Sequence, residues 1–258
     1  MSLREIRRIF VSRKQLISPN MLRIVFSGED LASFPEDFES GYIKLRFLMS
    51  QNEVYPSDSG ALDEKARVRS YTIRHFDLAV RELTVDFALH GDEGPASFWA
   101  QHCAIGDEIT MDGPGPAKII SHDADWFFLV GDMTALPALS VNLEKLPASA
   151  KGYVVIEVLS EADKILPLLP SGMQVHWVIN SHPSSDECLL ANAVKALPWQ
   201  PGNAAVWAAT EFGVMKQLRK YFKHEQEVDS KKLYISSYWK LGGSDEEHKK
   251  AKKMDAEK

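Results

Sequence analysis

RVRSYTIR, residues 67–74, alternates in the manner of a β-strand yet sets three arginines around a Tyr-Thr pair. On spacing alone, a solvated strand face explains that charge as well as a binding site does. The neighbouring segments supply the context. REIRRIFVSRKQLI, MLRIVFSGE and GYIKLRFLM precede it, and RELTVDFALH and DEITMDG follow. All are short alternating runs parted by Gly, Pro, Asn and Asp, which predicts an antiparallel barrel of about six strands. QNEVYPSDSGALDEKA, lying between two of the runs, reads as a polar loop.

The pattern changes near residue 120. From residue 126 onward, apolar β-like runs (WFFLVG, YVVIEVL, MQVHWVIN, AAVWAAT, KLYISSYW) alternate with amphipathic helical ones (TALPALSVNLEKL, DECLLANAVKAL, EFGVMKQLRKYF). Such alternation predicts βα units around a parallel sheet, with ligands at the carboxyl ends of its strands. The fold class expected is a two-domain one, a barrel over residues 1–120 and an α/β domain over 121–243. SDEEHKKAKKMDAEK, within residues 244–258, is expected to be a charged, solvated tail or frayed helix. A length of 258 residues suits two moderate domains.

Composition removes several function classes. A net charge of −6 argues against a nucleic-acid binder, which needs a broad cationic footprint, so any positive site must be local. The most apolar run, WFFLVGDMTALPALSV, is broken by Asp132 and Pro137, and no segment is expected to insert in a membrane. The first residues are charged and lack a secretory pattern, so a cytoplasmic protein is expected. Cys103 and Cys188 stand alone, which excludes a four-thiolate iron–sulfur cluster, and no metal site is expected.

In DFALHGDEGPASFWAQHCAIGDEI, residues 86–109, a strand ends at His90 and Pro95 opens a helix. A helix start offers unpaired N–H groups and partial positive charge, and small residues there let a phosphate come close. GPAS alone is a helix cap. With Arg69 on a neighbouring strand it becomes a candidate pyrophosphate site.

RSYTIR, DFALHGDEGPASFWA, GDEITMDGPG, VGDMTALPAL, WAATEFGVMKQLRKYF and YWKLG together, in this order over residues 5–242, resemble the siderophore-interacting proteins, FAD-dependent ferric-siderophore reductases with a ferredoxin-reductase-like architecture. The resemblance implies that Arg69 holds the FAD pyrophosphate, that Tyr71 lies against the isoalloxazine, and that Thr72, beside Ser70, bonds the flavin edge. It implies that His90 and Gly91, preceded by Asp86, and the helix start Gly94, Pro95, Ala96 and Ser97 serve the pyrophosphate and adenosine half. His90 fits a core histidine equally well.

For the nicotinamide donor, NADH or NADPH, the resemblance points to Gly131, Asp132 and Thr134 at one strand end and to Thr210, Glu211 and Phe212 at another. Thr134 and Trp239 would also serve the flavin. Met133 departs from the acidic residue common in that slot. Thr210 would also serve as a helix N-cap. Glu157 would accept from an adenosine ribose diol, or is simply an exposed strand end. Lys44, Lys118 and Lys240 would draw an anionic ferric siderophore. Electrons would pass from the nicotinamide, or from ferredoxin, through FAD to Fe(III), and the protein is expected to be monomeric. A flavin reductase serving a protein acceptor and a non-catalytic siderophore binder are the alternatives.

Overall fold

A computed structural model describes residues 5–49, 54–56, 67–89, 94–165, 167–183 and 188–256. The chain divides into two compact units, Met1–Lys118 and Ile119–Lys258.

The first unit holds β1 (Arg7–Ser18), β2 (Met21–Ser27), β3 (Tyr42–Met49), β4 (Val54–Pro56), β5 (Arg67–Thr72), β6 (His75–Asp77), β7 (Glu82–Ala88), helix α1 (Pro95–His102) and β8 (Glu108–Gly115). All eight strands join one antiparallel sheet in the order β4-β3-β8-β1-β2-β7-β6, with β5 also on β3. The six long strands are the six the sequence pattern predicts. β4 and β6, three residues each, are the two additions. Ile9, Ile24, Phe26, Ile43, Leu45, Phe47, Val85, Phe87 and Ile109 form a single buried cluster. One sheet contributing a common core from five of its strands must wrap around it, and the result is a barrel.

The wrap closes at one corner. Beyond β5 the chain changes partner: Ile73 N–H donates to Gly41 O on the β3 side, and Arg74 N–H donates to Thr84 O on β7. Among the described residues β5 pairs with β3 and not with β7, so the seam between β5 and β7 carries no ladder away from that corner. α1 packs into the core through Trp99, whose ring meets Phe47 and Phe87 with centroids 5.6 and 6.3 Å away.

The second unit runs β9 (Trp126–Gly131), α2 (Leu136–Glu144), β10 (Lys151–Val158), β11 (Gly172–Ile179), α3 (Leu189–Ala196), β12 (Ala204–Glu211), α4 (Phe212–Lys220), β13 (Leu233–Trp239) and α5 (Asp245–Ala256). Its five strands form a parallel sheet in the order β11-β10-β9-β12-β13. β9 is central and buried at every residue, as expected for a strand covered on both faces.

The expected solvated tail is instead a docked helix. His248 on α5 is only 6% exposed and its Nε2 lies 2.8 Å from Ser237 Oγ on β13. Lys252 reaches Ser236 Oγ and Ser237 O at 3.1 and 3.0 Å, and Arg219 of α4 pairs with Asp255 at 2.6 Å. The sequence HKKAKKMD hides the docking because polar side chains, those of His248, Lys252 and Asp255, make the contacts.

Gly152 is the tightest backbone approach in this unit. Its φ is +137°, and a Cβ there would lie 2.0 Å from Phe127 O on the adjacent strand. Gly152→Ala is therefore expected to destabilise the second unit by about 2 to 4 kcal/mol, from strain and overpacking together. A urea melt of the variant beside the parent checks this.

Candidate functional site

In the first unit the site builds on the β3–β5 ladder. Ile43, Leu45 and Phe47 point into the core, and in register with them stand Tyr71, Arg69 and Arg67. Ser70 and Thr72 therefore take the outer face, opposite Lys44 and Tyr42. The RSYT motif is thus split by strand periodicity into an inward pair, Arg69 and Tyr71, and an outward pair, Ser70 and Thr72.

The Tyr71 ring packs on Phe87 across the seam, with centroids 4.3 Å apart. Burial pushes the Tyr71 phenol well above its ordinary pKa, and the nearby Arg69 charge pulls it back in part. Arg69 itself is half-buried, and its one recorded bond runs to the carbonyl of Val68 at 3.0 Å. No carboxylate pairs with it among the described residues. A guanidinium held in a seam without a counter-anion suits an anionic ligand group.

α1 begins beside this seam, since Trp99 rests on Phe87, which carries Tyr71, and on Phe47, which faces Arg67. Gly94 is its N-cap and supplies no side-chain acceptor, Pro95 takes the first turn, and Ala96 and Ser97 are buried. His90 and Gly91 lie outside the described residues. Asp86 is not brought to the group. It faces away from Phe87, and both its oxygens are taken by Arg23, its cross-strand partner, at 2.6 and 2.7 Å.

Lys44 lies on the outer face between Ser70 of β5 and Asp112 of β8. The backbone carbonyl of Lys118 accepts from Ser40 at 3.4 Å. Lys240 belongs to the second unit, where it helps to lower the pKa of Glu247, chiefly set by bonds from Ser244.

In the second unit, three acidic residues gather at the carboxyl edge of the sheet. Asp132 is 5% exposed and fully engaged: Oδ1 accepts from Thr134 N–H and O–H at 2.9 and 2.6 Å, and Oδ2 from Trp239 Nε1 at 2.8 Å. Burial raises its pKa, and these bonds oppose the rise. Gly131 precedes it because a Cβ there would meet Leu139 and Ala135 of the α2 segment at 3.0 and 3.2 Å.

Glu211, not Thr210, caps α4. Its Oε2 accepts from the N–H groups of Gly213 and Val214, and its Oε1 accepts from Leu241 N–H at 3.0 Å. Thr210 is buried with its hydroxyl on Glu211 O at 3.1 Å, and Phe212 opens the helix with its ring 6.4 Å from that of His248. Glu157 is not a plain exposed strand end. Desolvation lifts its pKa to about 7, with an Asn180 bond at 3.2 Å opposing and Asp132 and Glu211 adding to the rise. Met133 is buried.

Two groups lay beyond sequence reasoning. Arg46 bonds Asp112 at 2.8 Å across 66 positions of chain, and Asn180 meets Glu157 only because β10 and β11 run side by side. Arg46 does share its alternation phase with Lys44, the one signal that marks it for the same face.

Known proteins match this arrangement from end to end. The siderophore-interacting FAD-binding domain profile covers residues 10–118 and the siderophore-interacting protein profile covers residues 124–242. The chain is 34% identical to the ferric vibriobactin reductase ViuB of Vibrio cholerae over 242 residues, 91% of this chain and 89% of that one. It is 27% identical to the NADPH-dependent ferric-chelate reductase of Escherichia coli, across 90% and 92% of the two. The crystal structure of the siderophore-interacting protein SipS from Aeromonas hydrophila superposes with a TM-score of 0.86 at 30% identity, covering both chains completely. The fold is ferredoxin-reductase-like, and the chain belongs to the siderophore-interacting protein family.

Proposed function

We propose that this chain is a cytoplasmic FAD-dependent ferric-siderophore reductase that draws electrons from NADH or NADPH and releases iron as Fe(II). The observation that carries the reading is Arg69, half-buried in the barrel seam beside a buried tyrosine and without a carboxylate partner among the described residues. Its fit to a dinucleotide is chemical. A guanidinium pairs with diphosphate oxygens, the start of α1, where Gly94 supplies no side-chain cap, carries partial positive charge, and Tyr71 presents an aromatic face that excludes water.

Bound FAD supplies the chemistry, accepting two electrons from the nicotinamide and passing them on one at a time to iron. Each chain residue has a narrower task. Arg69 binds the diphosphate, Tyr71 fixes the plane of the ring, and Lys44 raises the local concentration of an anionic chelate despite the acidic net charge. The carboxyl edge of the second sheet receives the donor. There Asp132 and Glu211 fix the two strand-to-helix turns, and burial lifts the pKa of Glu157 to about 7. The names of the Vibrio and Escherichia relatives support ferric chelates as acceptors, and the latter's supports a nicotinamide donor.

The purified protein is expected to show a flavin spectrum, to bleach anaerobically with NADH or NADPH, and to recover its colour when a ferric siderophore is added with an Fe(II) trap present. Recovery with a protein acceptor alone sinks the reading. Arg69→Ala should weaken FAD retention about ten-fold or more, measured by flavin titration, because a charge-assisted phosphate contact is worth about 1.5 to 3 kcal/mol. Glu157 adds a pH signature. Its pKa of about 7 stands above the ordinary 4.5, so the folded chain keeps a proton that the unfolded chain gives up between those values. Stability from this group is thus present at low pH and lost as pH rises toward 7. Glu157→Gln should flatten that slope in urea melts taken from pH 5 to 8.

A further inference from the structure

Lys44 and Asp112 face each other directly across the β3–β8 ladder on the outer face of the barrel. Opposed residues in such a ladder hold their Cβ atoms about 4.5 to 5.5 Å apart, and opposite charges so placed ordinarily pair. Here they do not. Asp112 is bonded instead by Arg46, two residues along β3, at 2.8 Å. Lys44 has no acidic partner among the described residues. Arg46 and Asp112 are both largely covered, with side chains 22% and 16% exposed, and Arg46 Nε is buried with no bond of its own. The other cross-strand neighbours are uncharged, Ser70 beside Lys44 and Val68 beside Arg46.

We propose that Arg46 is a positioning residue for substrate capture, which keeps Lys44 free for an anionic ferric chelate by occupying the carboxylate that would otherwise neutralise it. The three side chains sum to one positive charge, and their geometry decides where it resides. With Asp112 committed to Arg46, the positive charge sits on the half-buried Lys44 ammonium. Without Arg46, Lys44 swings onto Asp112 and the local charge falls to zero. The inference rests on the reading of Lys44 as a substrate-binding residue and assigns Arg46 and Asp112 their parts in it.

The test measures equilibrium binding by the FAD-loaded protein of a gallium(III) tris-catecholate, a redox-inert trianion, with a neutral gallium(III) tris-hydroxamate as control. Lys44→Ala and Arg46→Gln should each raise the Kd for the trianion about five-fold and leave the neutral complex and the flavin content unchanged. Arg46→Lys, which keeps a cation for Asp112, should restore most of the affinity. The deciding comparison is made in the Asp112→Asn background. There Arg46→Gln should change the Kd by less than about 1.5-fold, since the carboxylate it shields is gone.

An undiminished effect of Arg46→Gln in that background makes Arg46 a direct anion contact and overturns the proposal, as does no effect in the parent. A crystal structure of Arg46→Gln reads the mechanism without any substrate. Lys44 Nζ is expected within 4 Å of the Asp112 carboxylate, and a lysine that leaves that carboxylate unpaired overturns the inference. If Lys44→Ala leaves trianion binding unchanged while that ion pair forms, the fault lies in the substrate reading of Lys44 and not in the charge arrangement.

Discussion

The antiparallel ladder between β3 and β5 is the constraint on which the first unit depends. Strand periodicity gives every residue of RVRSYT one of two environments, and the packing of Ile43, Leu45 and Phe47 fixes which is which. Slipping the register by one position would bury Ser70 and Thr72 and turn Arg69 and Tyr71 to the outside. The cost of placing an arginine on the inward face is eased where β5 leaves the barrel ladder at the seam, since among the described residues β5 has no ladder on the β7 side. A cationic group and an open seam therefore occur together for one reason: among the described residues, the strand carrying the charge pairs along one edge only.

The second unit solves a different problem, the placement of acid where apolar strands end. Asp132 follows buried β9 and Glu211 ends buried β12, and each accepts from backbone N–H groups at the turn into the following helix. Each also ties in a distant element, Asp132 through Trp239 and Glu211 through Leu241. Among the described residues, Asn180 and one backbone donor answer the burial of Glu157, and desolvation outweighs them, so its proton is held more firmly than those of ordinary carboxyls.

Much of this was legible in the chain. The six long strands announce themselves by alternation, and the change to βα units near residue 120 follows from the switch in apolar period. What escaped was short or non-local. Three residues cannot display a period, so β4 and β6 left no signature. Thr210 and Glu211 stand side by side as capping residues, and local sequence could not choose the carboxylate that reaches two N–H groups over the hydroxyl that donates to the next residue's carbonyl. Asp86 sits one position before Phe87, close to the motif in sequence, but strand alternation turns it to the other face, where Arg23 waits in register. Lys44 could be named from resemblance, whereas its relation to Arg46 and Asp112 exists only once β3 and β8 are paired.

The docking of α5 has a bearing on self-association. β13 is the outermost strand of its sheet and would offer a free template to any extended chain that met it. Lys252 fills one carbonyl of that border and His248 pins a hydroxyl beside it. A twelve-residue helix this polar holds its shape poorly in water when separated from its support. The order of α5 thus depends on the strand it docks against, and in return it occupies one backbone acceptor of that strand.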